Sequence, residues 1–395
     1  MNHPRSSAVR LAIGWVTLFL IGTDLFVVSP LLPPIAHQFT QTPATAGWMV
    51  SIFSIMYAIG APWLGAWSDK VGRRPVIVMG LVGFAIANAL TSVAPNFLVL
   101  LVSRMLAGIS AAAVTPTIYA VTGDVAPFDQ RGKWLAIVGS GLLMALWAGA
   151  PIGTMLAQVV GWQGVFRTLA AISGIVLVGN AAVWPSRAAR TATHPQQMDG
   201  KSFRAVIGGV MITTFWGAAV YGFYTYLGTG LRLFDHFSAG MLATSIVIYG
   251  VGATLGSLLG GRLADRWGAG QVASASLLGL GLLLVIIGMG FDFGPWLDPF
   301  FFLLSLAGYA FFPSYQARLA QDFPERRGYA MAWNNSALYI GIGIGSVFGG
   351  WIIRAMPFPA LPVMCGVIAI GGAAVSYGRI KQGAKRITKQ NATPR

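Results

Sequence analysis

Twelve apolar runs alternate with short polar, basic or proline-marked breaks along the 395 residues of this chain. They fall near 11–33, 47–67, 75–94, 97–121, 134–158 and 165–185, then near 204–228, 238–264, 271–291, 296–320, 329–353 and 359–380. Crossing a bilayer takes about 20 apolar residues, and each run is of that order. Lipid offers no partner to an unpaired backbone amide, so all twelve runs are predicted to be α-helices. The expected fold class is an all-α membrane protein with twelve transmembrane helices in two six-helix, pseudo-symmetric halves. The longest stretch without a span, Ser186 to Phe203, is polar and carries Pro195 and Gly200. It reads as a cytoplasmic linker at 186–203 between an N-terminal half at 1–185 and a C-terminal half at 204–395, the latter ending in a short basic tail.

The two halves repeat each other. Gly65, Asp69 and Gly72, after the second run, recur 196 residues later as Gly261, Asp265 and Gly268. Arg131-Gly132 and Arg327-Gly328 keep the same offset, as do Gly149 and Gly345, and Gly153 and Gly349. A constant offset over several hundred residues marks an internal duplication. Duplicated six-helix halves are the build of a secondary transporter.

Composition agrees with a membrane-embedded chain. Apolar residues make up 55% and charged residues 9%, against roughly a quarter charged in a soluble domain. With both termini placed inside, 22 basic residues fall in cytoplasmic segments and only Arg167, Arg232 and Arg354 fall outside. That asymmetry is a strong positive-inside signature. The net charge of +15 is thus a topology signal with a solvated tail near anionic head groups, and calls for no nucleic acid. Arg10 and the run after it resemble a signal peptide, but the run is of full span length and lacks a small-residue cleavage site, so it is kept as the first helix. One cysteine, Cys365, allows neither an internal disulfide nor a cysteine-based metal cluster. The four histidines lie in termini or loops, and no nucleophile elbow or GxxxxGK[ST] loop occurs. An enzyme and direct use of ATP are both disfavoured; no metal or cofactor is expected, and a proton gradient would supply the energy.

The motifs resemble those of the major facilitator superfamily. Gly65 to Pro75, with Asp69, Gly72, Arg73 and Arg74, is similar to its signature between the second and third helices, and Gly261 to Gly268 to the weaker copy after the eighth. Arg104-Met-Leu-Ala-Gly108 resembles the fourth-helix motif, and Gly149-Ala-Pro151-Ile-Gly153 a variant of the fifth-helix motif of the antiporter branch. Gly161-Trp162 followed by Phe166 is similar to the start of the sixth helix in bacterial drug and sugar efflux members. The resemblance covers nearly the whole chain. It implies the major facilitator fold, a place in the bacterial cytoplasmic membrane, export of a small organic solute in exchange for protons, and a monomer.

Residue roles follow from chemistry and resemblance together. Gly65 and Asp69, four apart, share a helix face, so a close contact and a carboxylate are expected together. The resemblance places Asp69 against the N-terminal end of a helix of the other half, and Arg73 and Arg74 beside Asp124. Together with Gly72, Gly261, Asp265 and Arg266 these would form a cytoplasmic gate. Gly149, Pro151 and Gly153 would let the fifth helix pack tightly and bend. Asp24 is the one acid well inside a span, and its depth by helical rise matches that of Arg104, about 10 Å below the outer surface for both. Buried charges in a membrane are expensive and usually functional, so the two are expected to pair and to couple transport to protons. Neither is repeated at the 196 offset, where Val220 and Phe300 stand. Candidate cavity residues are Tyr57, Tyr119, Trp147, Trp216, Tyr221, Tyr224, Asn334, Asn335 and Tyr339, an aromatic set suited to a moderately apolar solute. A proton symporter or facilitator that imports a nutrient, and a non-transporting receptor on the same fold, are the alternatives.

Overall fold

The structure is a computed structural model that describes residues 4–127, 130–185, 200–234, 237–290, 296–324 and 327–391. Its helices run in chain order as α1 (Pro4–Gln38), α2 (Pro43–Ala46), α3 (Trp48–Val71), α4 (Arg73–Ser92), α5 (Phe97–Val125), α6 (Arg131–Met144) and α7 (Ala150–Val183). The second half continues as α8 (Gly200–Thr229), α9 (Ala239–Trp267), α10 (Ala269–Met289), α11 (Asp298–Tyr309), α12 (Phe311–Asp322), α13 (Arg327–Ala355) and α14 (Ala360–Asn391). Short π-helical turns, Ala145–Gly149 and Gly230–Phe234, follow α6 and α8.

Ten helical stretches among the described residues are long and apolar enough to cross a membrane. They are consistent with twelve spans, for two physical reasons. The stretch Arg131–Val183 is 53 residues long, but Gly161, with φ 69° and ψ 169°, breaks it into two. The tenth predicted run is divided at Ala310 into α11 and α12, each 12 residues. Pro313 has no N–H to give the carbonyl of Tyr309, and the helical ladder lapses there.

Two compact units emerge: Met1–Met198 with Tyr224–Gly250, and Asp199–Phe223 with Val251–Arg395. In the first, α1 packs on α6 and α7, α5 on α3 and α4, and α4 on α7. In the second, α10 packs on α14, α11 and α12. The α4–α7 and α10–α14 pairs occupy equivalent places in the repeat. Most of the predicted linker, residues 186–199, lies outside the described residues.

The segment Tyr224–Gly250 joins the first unit through the proline-rich end of α1. Pro30 cannot bond the carbonyl of Phe26, and that carbonyl instead accepts the Tyr224 hydroxyl at 3.3 Å. Ser29 Oγ donates to the Tyr224 carbonyl at 2.5 Å. The Phe26 and Tyr224 rings meet edge to face, 5.7 Å apart.

Small residues set the helix spacing, as expected where van der Waals packing drives association in lipid. A β-carbon at Gly108 would collide with the carbonyl of Phe53 on α3, whereas one at Gly65 would meet nothing within 4 Å. Gly108→Val should therefore lower the thermal midpoint of the purified protein, at a cost of about 1–3 kcal/mol. Gly65→Ala should leave it unchanged or slightly raised. Unfolding curves of the two variants side by side check this, and equal midpoints would contradict the packing.

Candidate functional site

The charged centre of the first unit is assembled from four helices. Asp24 comes from α1 and Arg104 from α5; Nη1 of Arg104 donates to Oδ1 of Asp24 at 3.0 Å and Nη2 to Oδ2 at 2.6 Å. The side chains are 0% and 1% exposed. A two-pronged arginine–carboxylate pair is among the stronger charge-assisted contacts, and with both side chains buried each charge depends on its partner to offset the loss of hydration.

Aromatic faces complete the enclosure. The guanidinium carbon lies 5.1 Å from the centre of the Phe53 ring on α3 and 5.5 Å from that of Phe166 on α7. Cation–π attraction of this kind is worth about 2 kcal/mol when desolvated. The Nε of Arg104 has no hydrogen-bond partner among the described residues. Phe166 is held in turn by Trp162, with ring centres 6.1 Å apart, and the Trp162 indole donates to Gln38 Oε1 at 2.8 Å. A continuous set of contacts thus runs from the end of α1 to the buried pair.

The fifth-span glycines act on this same region. A β-carbon at Gly149 would overlap Thr23, and one at Gly153 would overlap Val27, the residues on either side of the Asp24 turn. Pro151 removes the N–H owed to the carbonyl of Trp147. The backbone responds with the π turn Ala145–Gly149, in which the Ala150 amide reaches back five residues to Ala145. Tight packing and a local distortion therefore coincide at Gly149, Pro151 and Gly153. In the second unit, Gly345 approaches the backbone of Ala218 on α8, and Val347 continues the helix where a proline would interrupt it.

The charged loop between α3 and α4 is organised by Arg73. Its guanidinium bonds Asp69 at 2.5 Å and Ser68 Oγ at 2.7 Å, and its Nε approaches Asp124 Oδ2 at 3.4 Å. Gly72 turns the chain at φ 105°, and Gly268 does so at φ 90° in the repeat. A β-carbon added at Gly65 or at Gly261 would meet nothing within 4 Å. Asp265 and Arg266 are exposed, and the Arg266 guanidinium lies 5.9 Å over the Trp267 ring.

The aromatic and amide candidates do not share one setting. Tyr57, Trp216, Tyr221, Tyr224, Asn334 and Tyr339 are buried, and Tyr119, Trp147 and Asn335 are half-buried. Trp216 is built into the core of the second unit: its indole donates to the Gly308 carbonyl at 2.7 Å, and its ring stacks on Phe311 and Phe312. Asn334 accepts from Thr213 Oγ1 at 2.5 Å, while its Nδ2 has no partner among the described residues. Trp147 sits in the π turn with Gly250 against it. Phe53 was missed from sequence, because one phenylalanine in an apolar helix carries no signal. Phe166 was visible as a motif residue but not as a ring facing Arg104.

Residues 14–248 and 233–395 match the profile of the Major Facilitator Superfamily. The uncharacterized MFS-type transporter YceJ of Bacillus subtilis (strain 168) is 30% identical over 354 residues, covering 88% of this chain and 90% of the relative. A probable sugar efflux transporter of Helicobacter pylori (strain ATCC 700392 / 26695) is 23% identical over 361 residues, covering 90% and 91%. Among solved structures, a D-xylose-proton symporter superposes with a TM-score of 0.78 at 16% identity, covering 93% of this chain and 97% of that one. That likeness concerns the fold alone.

The two ion-pair regions should respond differently to mutation. Arg104→Ala strands a buried carboxylate and should cost about 3–5 kcal/mol, partly recovered by combining Asp24→Asn with Arg104→Gln. Arg73→Gln acts on a half-exposed pair and should cost under about 1 kcal/mol. Thermal or denaturant unfolding of the four proteins decides it; similar losses at both sites would count against the burial argument.

Proposed function

Because the chain belongs to the major facilitator superfamily, we propose that it is a proton-coupled secondary transporter exporting a small organic solute, a drug or a metabolite such as a sugar. It works by alternating access as a monomer in the bacterial cytoplasmic membrane, with both termini inside. The proton gradient is its only energy source. The observation that carries this reading is the Asp24–Arg104 pair, two opposite charges locked together at span depth.

Chemically, a proton arriving from the outer side adds to one Asp24 oxygen and cancels the carboxylate charge. The two hydrogen bonds from Arg104 then lose most of their strength. The guanidinium keeps its charge, held by the faces of Phe53 and Phe166, and is free to reorient. That rearrangement weakens solute binding to the outward state, and return to the inward state restores the pair as the proton leaves. Asp69, Arg73 and Asp124, with Arg74 nearby in sequence, would act as the cytoplasmic latch, joined by Gly65, Gly72, Gly261, Asp265 and Arg266. Tyr57, Tyr119, Trp147, Tyr221, Asn335 and Tyr339 are candidates for the solute surface in the open states. Export is favoured over import by the resemblance of Gly149, Pro151 and Gly153 to the fifth-helix motif of the antiporter branch, and by the similarity to a probable sugar efflux transporter of Helicobacter pylori.

Asp24→Asn keeps the shape of the side chain and an oxygen acceptor for Arg104. In proteoliposomes it should abolish solute flux driven by a pH gradient while solute exchange at equal pH persists. Arg104→Gln should impair both. Undiminished proton-driven flux in Asp24→Asn would refute the assignment.

A further inference from the structure

A cavity of about 410 Å³ opens along the flank of the second unit, between α9, α10 and the break that joins α11 to α12. Small residues make room for it, Ala275 on α10, Ala307 on α11 and Ala310 at the break, while Gly256 on α9 lets the backbone of Leu306 approach closely beside it. Leu259, Leu303 and Trp267 stand on its rim, 40%, 46% and 60% exposed. Ser276 is the one hydroxyl that lines it. Both α9 and α10 are long and apolar enough to cross a membrane, so exposed leucines at this depth face lipid and not water.

The shape of the crease is informative. On α9, Gly256, Leu259, Leu263 and Trp267 recur at three- and four-residue spacing and form one helix face. Gly256 to Trp267 spans about 16 Å at ~1.5 Å per residue, about half of a hydrocarbon core ~30 Å thick. The crease is therefore one leaflet long. Arg262 and Arg266 lie three and seven residues beyond Leu259, on the Leu259 edge of the same face. Both are exposed, as is Asp265, which leaves this end of α9 with an excess of positive charge. An indole at the membrane surface and arginines beside it suit the head-group region and its anionic lipids.

The duplicated scaffold does not supply this crease by itself. At the 196-residue offset, Leu259 and Ala275 correspond to the bulkier Trp63 and Met79 of the first half.

We infer that the crease seats one acyl chain of an anionic phospholipid from the leaflet bordering Arg262 and Arg266, with the lipid phosphate meeting those two guanidinium groups. By the positive-inside reading this is the cytoplasmic leaflet. The site is separate from the Asp24–Arg104 pair and stands whether or not the antiport reading holds.

The test uses the purified full chain in phosphatidylcholine vesicles doped with phosphatidylglycerol brominated on its acyl chains. The fluorescence difference between wild type and Trp267→Phe isolates the Trp267 signal. Quenching of that signal should saturate at low phosphatidylglycerol content, whereas brominated phosphatidylcholine should quench only in proportion to its abundance. Ala275→Leu, which fills the crease from an exposed position without touching the helix core, should abolish the saturable part. Arg262→Gln combined with Arg266→Gln should erase the preference for phosphatidylglycerol. Proportional quenching by both lipids overturns the inference, and so does saturation that survives Ala275→Leu. Displacement of the lipid signal by a neutral apolar solute, with no dependence on head group, would assign the crease to solute instead and equally overturn it.

Discussion

A carboxylate and a guanidinium enclosed together, both removed from solvent, is the constraint around which the first unit is arranged. A charge at membrane depth is expensive alone. A partner helps only if geometry is good and the remaining polar atoms are cared for. Asp24 and Arg104 meet the first condition through two parallel hydrogen bonds. The second is met unevenly: the guanidinium carbon lies over two aromatic rings, while Nε has no hydrogen-bond partner among the described residues.

Prolines shape the helical backbone at three points. Pro30 frees the Phe26 carbonyl, which takes the Tyr224 hydroxyl. Pro151 gives rise to the π turn that sets Gly149 against Thr23, next to Asp24. Pro313 accompanies the break at Ala310, next to the crease in the flank of the second unit. Lipid tolerates irregular helices only when neighbouring groups satisfy the backbone again. Proline positions therefore locate helix–helix contacts as well as bends.

Much of the fold could be read from the chain because lipid leaves so few options. Span length, the requirement for helices and the 196-residue repeat led to the architecture without knowledge of any packing. The depth match between Asp24 and Arg104 needed only the rise of a helix. What could not be read was lateral position. Phe53 and Phe166 flank Arg104, but nothing in an apolar helix says which phenylalanine turns inward. Trp216 was chosen as a cavity residue by its chemistry, yet its indole is tied to the Gly308 carbonyl within an aromatic stack. Rotation of a helix about its axis is set by neighbours, and single-chain periodicity is weak when a span is apolar on every side.

The repeat itself separates scaffold from function. Gly72 and Gly268 make the same left-handed turn, Gly149 and Gly345 both admit a neighbouring helix, and α4–α7 packs like α10–α14. These are shared because both halves had to fold before either could act. The departures are chemical. Asp24 and Arg104 face Val220 and Phe300 across the offset, and Leu259 and Ala275 of the crease face the bulkier Trp63 and Met79. A duplicated protein has no folding reason to keep a buried charge in one half alone, since the other half shows that the position folds well with valine. The asymmetry therefore argues that the pair is retained for what it does, and directs attention to positions where the two halves disagree.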